Sequence, residues 1–200
     1  MKIYVIGDSI SVHYGPYLER ELSGFADYAR KGGPDARGTD WENPADANGG
    51  DSNLVLSFLA ENLSVISADV MLLNCGLHDV RLDRQSRTYQ VLPEAYRENL
   101  TTILERVHAA GIKPIWINST PLIDAVHNAR DVPYDRHLDD VIAYNKIAAD
   151  VMASKNVPII DLFGFMLSLG PDIYIDHVHL TNAVRAQQAA FIADWLKNYA

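Results

Sequence analysis

Cysteine occurs once in this chain, at Cys75, so no intrachain disulfide can form and the redox compartment is left open. Long apolar runs are missing too. The most continuous, Ile3–Ile6 and Val70–Leu73, are strand-sized and far below the ~20 residues of a membrane span. Positive charge is scarce: 17 Lys and Arg stand against 26 Asp and Glu, a formal net charge of −9. No basic cluster interrupts that excess, so the surface repels phosphate backbones and nucleic acid is not an expected partner. Met1-Lys2 runs directly into a strand-like segment and Gly7, without an apolar h-region or a small-residue cleavage site. The chain is therefore expected to be cytoplasmic, although a secreted or periplasmic protein already freed of its signal peptide would read the same.

What is present is ordinary globular usage, 48% hydrophobic and 22% charged over 200 residues. That fits one domain, 1–200, with a core large enough to fold without disulfides or a structural metal. Four runs rich in Val, Ile and Leu (Ile3–Ile6, Val70–Leu73, Pro114–Asn118 and Val157–Asp161) are continuous rather than alternating, as strands buried on both faces read. A fifth strand is expected near Phe25–Ala29. Between them lie stripes of helical period: Leu54, Val55, Phe58, Leu59 and Leu63; Tyr96, Leu100, Ile103, Leu104 and Val107; Leu138, Val141, Ile142, Asn145, Ala148 and Met152; Val184, Gln188, Phe191 and Trp195. Pro93 and Gly111 bracket the second stripe as helix ends prefer.

Strand and helix in alternation predict a doubly wound, flavodoxin-like α/β domain. Its mostly parallel five-stranded sheet lies between two helical layers, α/β/α. Ligands in such sheets bind outside the carboxyl ends of the strands. Two connections exceed ordinary link length. Lys31–Gly50 holds five Gly, two Pro and Trp41, and reads either as a solvated Ω-loop packed on that Trp or as a binding loop. The other runs from Ser119 to His137.

Gly7-Asp8-Ser9 follows the first strand and opens a helix through Tyr17, Leu18 and Leu22. A serine there sits beside helix N–H groups that favour an oxyanion, although a serine at a helix start is also a common cap. Ser11 can compete for that cap. After the last strand comes Asp176-His177-Val178-His179-Leu180-Thr181, with Thr181 suited to cap the final helix. A nucleophilic serine needs a base, and the base needs an orienting carboxylate. Asp176, three residues before His179 on one tight loop, can meet that ring and turn it toward Ser9. A rival constellation is a metallohydrolase, with His177 and His179 on one face and Asp8, His78 and Asp79 on the same rim. It leaves Ser9 unexplained, and no metal or other cofactor is expected. On the serine reading, His177 is left over as a surface or loop-packing residue, and His13 and Tyr14 as packing residues.

The pattern resembles the SGNH hydrolase superfamily, also called GDSL esterases. Gly7-Asp8-Ser9 is similar to its first block and Asp176-x-x-His179 to its last. Gly49-Gly50-Asp51-Ser52 is similar to the second and Gly76-Leu77-His78-Asp79 to the third, usually Gly-x-Asn-Asp. The four span residues 7–181 in order. The resemblance implies catalytic Ser9, Asp176 and His179, and an oxyanion hole built from the N–H groups of Ser9 and Gly50. The family's asparagine is replaced here by His78. A neutral imidazole can donate to an oxyanion, so His78 is the expected third donor, with Asn74 as the alternative and Asp79 tying down its own loop.

The resemblance further implies acyl transfer: Ser9 attacks an ester carbonyl, His179 takes its proton, and water releases the acid. Attack needs neutral His179, so acid is expected to inhibit. Superfamily members include esterases, lipases, thioesterases and carbohydrate deacetylases. No apolar lid helix is evident. Asp40, Trp41, Asn43, His127, Asn128, Arg130 and Tyr134 are suited to hydroxyl-rich ligands. Trp41, His127 and Tyr134 are the candidate substrate-binding residues, and an acetyl ester of a carbohydrate is the expected small-molecule partner. A thioesterase or lysophospholipase of the same fold is the alternative acyl hydrolase, and a non-catalytic carbohydrate-binding module the alternative of another class.

Overall fold

The computed structural model describes residues 1–33 and 47–199. β1 (Lys2–Ile6) leads into α1 (Ser9–Glu21) and β2 (Asp27–Arg30). After the undescribed stretch come α2 (Ser52–Asn62), β3 (Val70–Leu73), a two-residue β4 (Leu82–Asp83) and α3 (Pro93–Ala109). β5 (Lys113–Ile117), α4 (Asp124–Asn128), β6 (Tyr134–Asp135) and α5 (Leu138–Ser154) follow. The chain continues through β7 (Ile159–Ile160), α6 (Leu162–Ser168) and α7 (Asn182–Tyr199). Strands β2, β1, β3, β5 and β7 lie side by side in that order, and every pair is parallel. This is the flavodoxin-like winding, in which strand order reverses between β1 and β3 and a crevice opens at their carboxyl ends. Ser9 follows β1 and His78 follows β3, one on each side of that reversal.

The apolar strands are buried on both faces because helices cover both. On one side α1 packs on α7; on the other α2 packs on α3 and α3 on α5. Val5, Ile6, Met71, Leu72 and Leu73 are fully buried between the layers. In α3 the stripe Tyr96, Leu100, Ile103, Leu104 and Val107 is wholly buried, each such side chain contributing about 1.5–3 kcal/mol. Pro93 opens that helix, and Gly111 follows its end at φ +74°, a conformation that favours glycine. No helix among the described residues is long and apolar enough to cross a membrane.

Three details depart from the periodicity reading. Leu54 and Ile142 belong to the expected stripes yet are 42% and 47% exposed. The buried face of α5 instead includes Tyr144, admitted to the core because its hydroxyl donates to Val91 O at 2.6 Å. Strand ends shift by a few residues, with β7 only two long. The connection Ser119–His137 also carries structure of its own. It holds α4 and β6, and β6 pairs antiparallel with β4, Leu82 opposite Asp135 and Asp83 opposite Tyr134. Arg84 fastens the pair, donating to Asp135 Oδ1 at 2.7 Å and to the carbonyls of Asn128 and Arg130.

Candidate active site

Asp8 caps α1, its Oδ1 accepting from Ile10 N at 2.9 Å. The cap is thus neither Ser9 nor Ser11, whose hydroxyl donates instead to Asp8 O. Ser9 begins the helix with its side chain uncommitted to capping. Gly7 is required just before, since a Cβ there would stand 2.8 Å from Ser11 Cβ. Across the rim, His179 Nε2 lies 3.0 Å from Ser9 Oγ and His179 Nδ1 lies 2.7 Å from Asp176 Oδ2. With Nδ1 protonated toward the carboxylate, Nε2 is free to accept a hydrogen bond from the Ser9 hydroxyl. Asp176 is itself held: its Oδ1 accepts from Val178 N at 2.8 Å and His179 N at 2.7 Å. Burial opposes its ionisation, but those bonds and the one from the His179 ring prevail and hold the carboxyl well below the usual carboxylate range.

Other imidazoles surround this one. The His13 ring packs 4.8 Å from that of His179, the His177 ring 6.0 Å away, and the His127 ring lies tilted against His177 at 4.6 Å. Burial, then nearby guanidinium charge, lowers His13 and His127 to about 3 and His177 to about 4. The His179 ring therefore sits among uncharged rings. His177 is buried rather than at the surface, a correction to one of its two expected placements. Its Nε2 faces Arg130 Nη1 at 3.0 Å, while His179 Nε2 faces Ser9. The two Nε2 atoms thus face different partners rather than one common point. Among the described residues no group of three or more His, Cys, Asp or Glu side chains is arranged to hold a metal ion.

Ser9, Leu77, His78, Arg81, Arg136, Val178 and His179 line a recess of about 10 Å³, room for one water-sized group. His78 is buried, and that burial, followed by the charges of Arg81 and Arg136, holds its ring well below the usual histidine value, hence neutral. Asn74 lines a different void with Asp8 and Thr120, and its amide donates to Ile117 O at 2.9 Å, where it supports the strand ends. Gly50 adopts φ +69°, but its N–H donates to Asn48 Oδ1 at 2.8 Å rather than standing open. Gly49 docks on Gly7 O at 2.8 Å, so the second block lies against the first. Asp79 ties the third block to the second by accepting from Ser52 N at 2.9 Å. Burial raises its carboxyl to about 7.

Of the substrate-binding candidates, Trp41 lies outside the described residues, as do Asp40 and Asn43. His127 is fully buried and supports the site from beneath instead of lining it, because the α4 turn points its ring inward. Tyr134 is half-buried with guanidinium groups of Arg81 and Arg136 over its ring, at 4.6 and 5.3 Å from the centroid. Those two arginines were not found by sequence reasoning. They stand 55 residues apart, and the only local signal was that each adjoins a two-residue strand too short to show periodicity.

The GDSL-like lipase/acylhydrolase family matches residues 5–186. No curated protein matches the chain. Among solved structures it is similar to a lipase/acylhydrolase from Enterococcus faecalis, at 19% identity and TM-score 0.75, over 99% of this chain and 96% of that one. It is similar to the acetyl xylan esterase AlAXEase, at 16% identity and TM-score 0.71, over the full length of both. It also resembles the psychrotrophic esterase EstA from Pseudoalteromonas sp., at 15% identity and TM-score 0.69, over 99% and 97% of the two chains. At these identities the structural likenesses establish the fold. The match across 5–186 establishes descent: this chain belongs to the GDSL-like lipase/acylhydrolase family.

Proposed function

We propose that the chain is a serine esterase that hydrolyses short-acyl esters, acetyl above all, on a carbohydrate. The observation that carries the reading is the unbroken relay from Asp176 Oδ2 through the His179 ring to Ser9 Oγ, at 2.7 and 3.0 Å. Ser9 attacks the ester carbonyl as its proton passes to His179 Nε2, and Asp176 stabilises the imidazolium formed. The tetrahedral oxyanion is received by the N–H groups of Ser9 and Gly50 and by the neutral ring of His78; Gly50 turns its N–H from Asn48 Oδ1 to do so. His179 then protonates the departing alcohol, and water, activated by the same ring, releases the acid.

The acyl preference rests on the recess. A space for one water-sized group beside Ser9, walled by Leu77 and Val178, suits a methyl group. The carbohydrate part rests on Trp41 and the polar loops, with an acetyl xylan esterase among the proteins of this fold. The test is labelling by a fluorophosphonate, with location of the modified residue, alongside turnover of p-nitrophenyl esters from acetyl to octanoyl. Label on Ser9, rates falling steeply with chain length, and a loss on the order of 10⁴–10⁶ in kcat for Ser9→Ala are expected. Activity that survives Ser9→Ala and vanishes in EDTA would refute the serine mechanism, and rates level or rising toward octanoyl would refute the short-acyl reading.

A further inference from the structure

His177 is the histidine of the carboxyl-terminal block that the relay leaves without a role, yet it is buried and held by the connection 119–137. Ile123 N donates to its carbonyl at 2.9 Å, and the His127 ring of α4 lies 4.6 Å from its own. Arg130, just past α4, reaches its Nε2 at 3.0 Å. Arg130 is itself set in place, its N–H donating to His127 O and its carbonyl accepting from Arg84. A guanidinium offers N–H donors and no acceptor, so His177 Nε2 must supply the lone pair. The one proton of the neutral ring is then on Nδ1. That atom faces Asp176 Oδ1 at 3.5 Å, too long for a good hydrogen bond but close enough for an N–H dipole to favour a carboxylate.

We infer that His177 is a positioning residue of the relay: Arg130 fixes its proton on Nδ1, and that proton steadies the Asp176 carboxylate behind the His179 ring. The inference deepens the serine reading and rests on it. Which nitrogen of an imidazole carries the proton is set by what the other nitrogen meets. The groups acting on His177 are Arg130, Asp176, Arg136 and His179, with the His127 ring against it. Burial and then the Arg130 charge lower it to about 4, so it stays neutral where His179 serves as base. His179 is faced by Asp176, by the His13 ring of α1 and by the His177 ring, with Asp8 and His78 acting through space. His13 and His78 are neutral in that range. Deprived of the Nδ1 dipole and the guanidinium behind it, Asp176 draws a protonated His179 ring more strongly, and the base keeps its proton to higher pH.

The experiment has two arms. In the nitrogen-15-labelled wild type, long-range proton–nitrogen NMR reads the imidazole nitrogens of His177, assigned through its own Cβ. A protonated Nδ1 and a bare Nε2 at neutral pH are expected, and a proton on Nε2 overturns the inference. The second arm follows kcat/KM for p-nitrophenyl acetate against pH in the wild type, His177→Phe, His177→Asn, Arg130→Gln and Arg130→Lys. The acid limb should move upward by roughly half a pH unit in His177→Phe and Arg130→Gln. It should stay near the wild-type position in His177→Asn, whose amide nitrogen stands where Nδ1 does, and in Arg130→Lys, which keeps the charge. KM should hold, because neither side chain lines the recess at Ser9. A His177→Phe enzyme that loses rate by one factor at every pH, its acid limb unmoved, overturns the inference, since the ring would then only pack the loop. The wild-type NMR arm needs no variant, so poor folding of a variant leaves the inference open to refutation. Failure of the serine reading shows separately, as a wild type that neither turns over p-nitrophenyl acetate nor takes a fluorophosphonate. A protein labelled at Ser9 whose His177 carries its proton on Nε2 refutes the positioning role alone.

Discussion

Replacing Asp176 separates the two tasks of one carboxylate. Its Oδ1 holds two backbone N–H groups and its Oδ2 holds the His179 ring. Asp176→Asn keeps an acceptor for the backbone but presents an amide N–H to Nδ1. The ring then moves its proton to Nε2, the nitrogen that must accept from Ser9. Such a tautomer change in a Ser-His-Asp triad lowers kcat by about 10⁴, and the backbone bonds keep the loop in place. Asp176→Ala removes the backbone acceptor as well. Two bonds at about 1 kcal/mol each amount to about 2 kcal/mol, or a Tm lower by about 4–8 °C in a chain of this size. The assay is p-nitrophenyl acetate turnover beside thermal unfolding for both variants. Asp176→Asn should be nearly inert with a melting temperature near that of the wild type, and Asp176→Ala inert and less stable. An Asp176→Asn enzyme within tenfold of wild-type kcat would refute the reasoning.

His78→Ala should lower kcat by roughly 10²–10³ if the ring donates to the oxyanion; a larger loss in well-folded Asn74→Ala would transfer that role. Asp79, raised to about 7 by burial, binds its proton more tightly folded than unfolded. Its ionisation therefore costs stability as pH rises from about 4 through about 7. Asp79→Asn should raise the melting temperature more at pH 8 than at pH 5, and an equal shift at both would contradict the assignment. Gly7→Ala forces a Cβ to 2.8 Å from Ser11 Cβ and should destabilise by about 1–3 kcal/mol. Ser9 moves with that turn, so initial rates and thermal melts should fall together; unchanged activity would show that the turn can relax.

The winding of the sheet was legible because its strands are continuous apolar runs and its helices carry stripes at a 3.6 period. Ser9 was legible for a different reason, because its block directly follows β1; Asp176 and His179 follow α6 instead and were legible as a compact Asp-x-x-His block just ahead of α7. What escaped was set by contacts distant in the chain. The β4–β6 ladder joins residues 53 and 51 apart, and nothing near Leu82 or Tyr134 announces the other. The arginines beside it, Arg81 and Arg136, consequently carry no local signal of their own. His177 looked superfluous because its partner, Arg130, lies in another loop. Gly50 was recognised by position, yet the engagement of its N–H by Asn48 depends on a side-chain orientation that no spacing encodes.

Ser9 and His179 are joined by a hydrogen bond across 170 positions. At ribosomal speeds of about 5–20 residues per second, roughly 10–30 s separate the synthesis of one from that of the other. Throughout that interval the nascent hydroxyl has no base. The partner arrives on the loop leading into α7, whose docking on α1 completes both the helical layer and the relay. On the serine reading, the nucleophile therefore gains its base only once this carboxyl-terminal segment has docked.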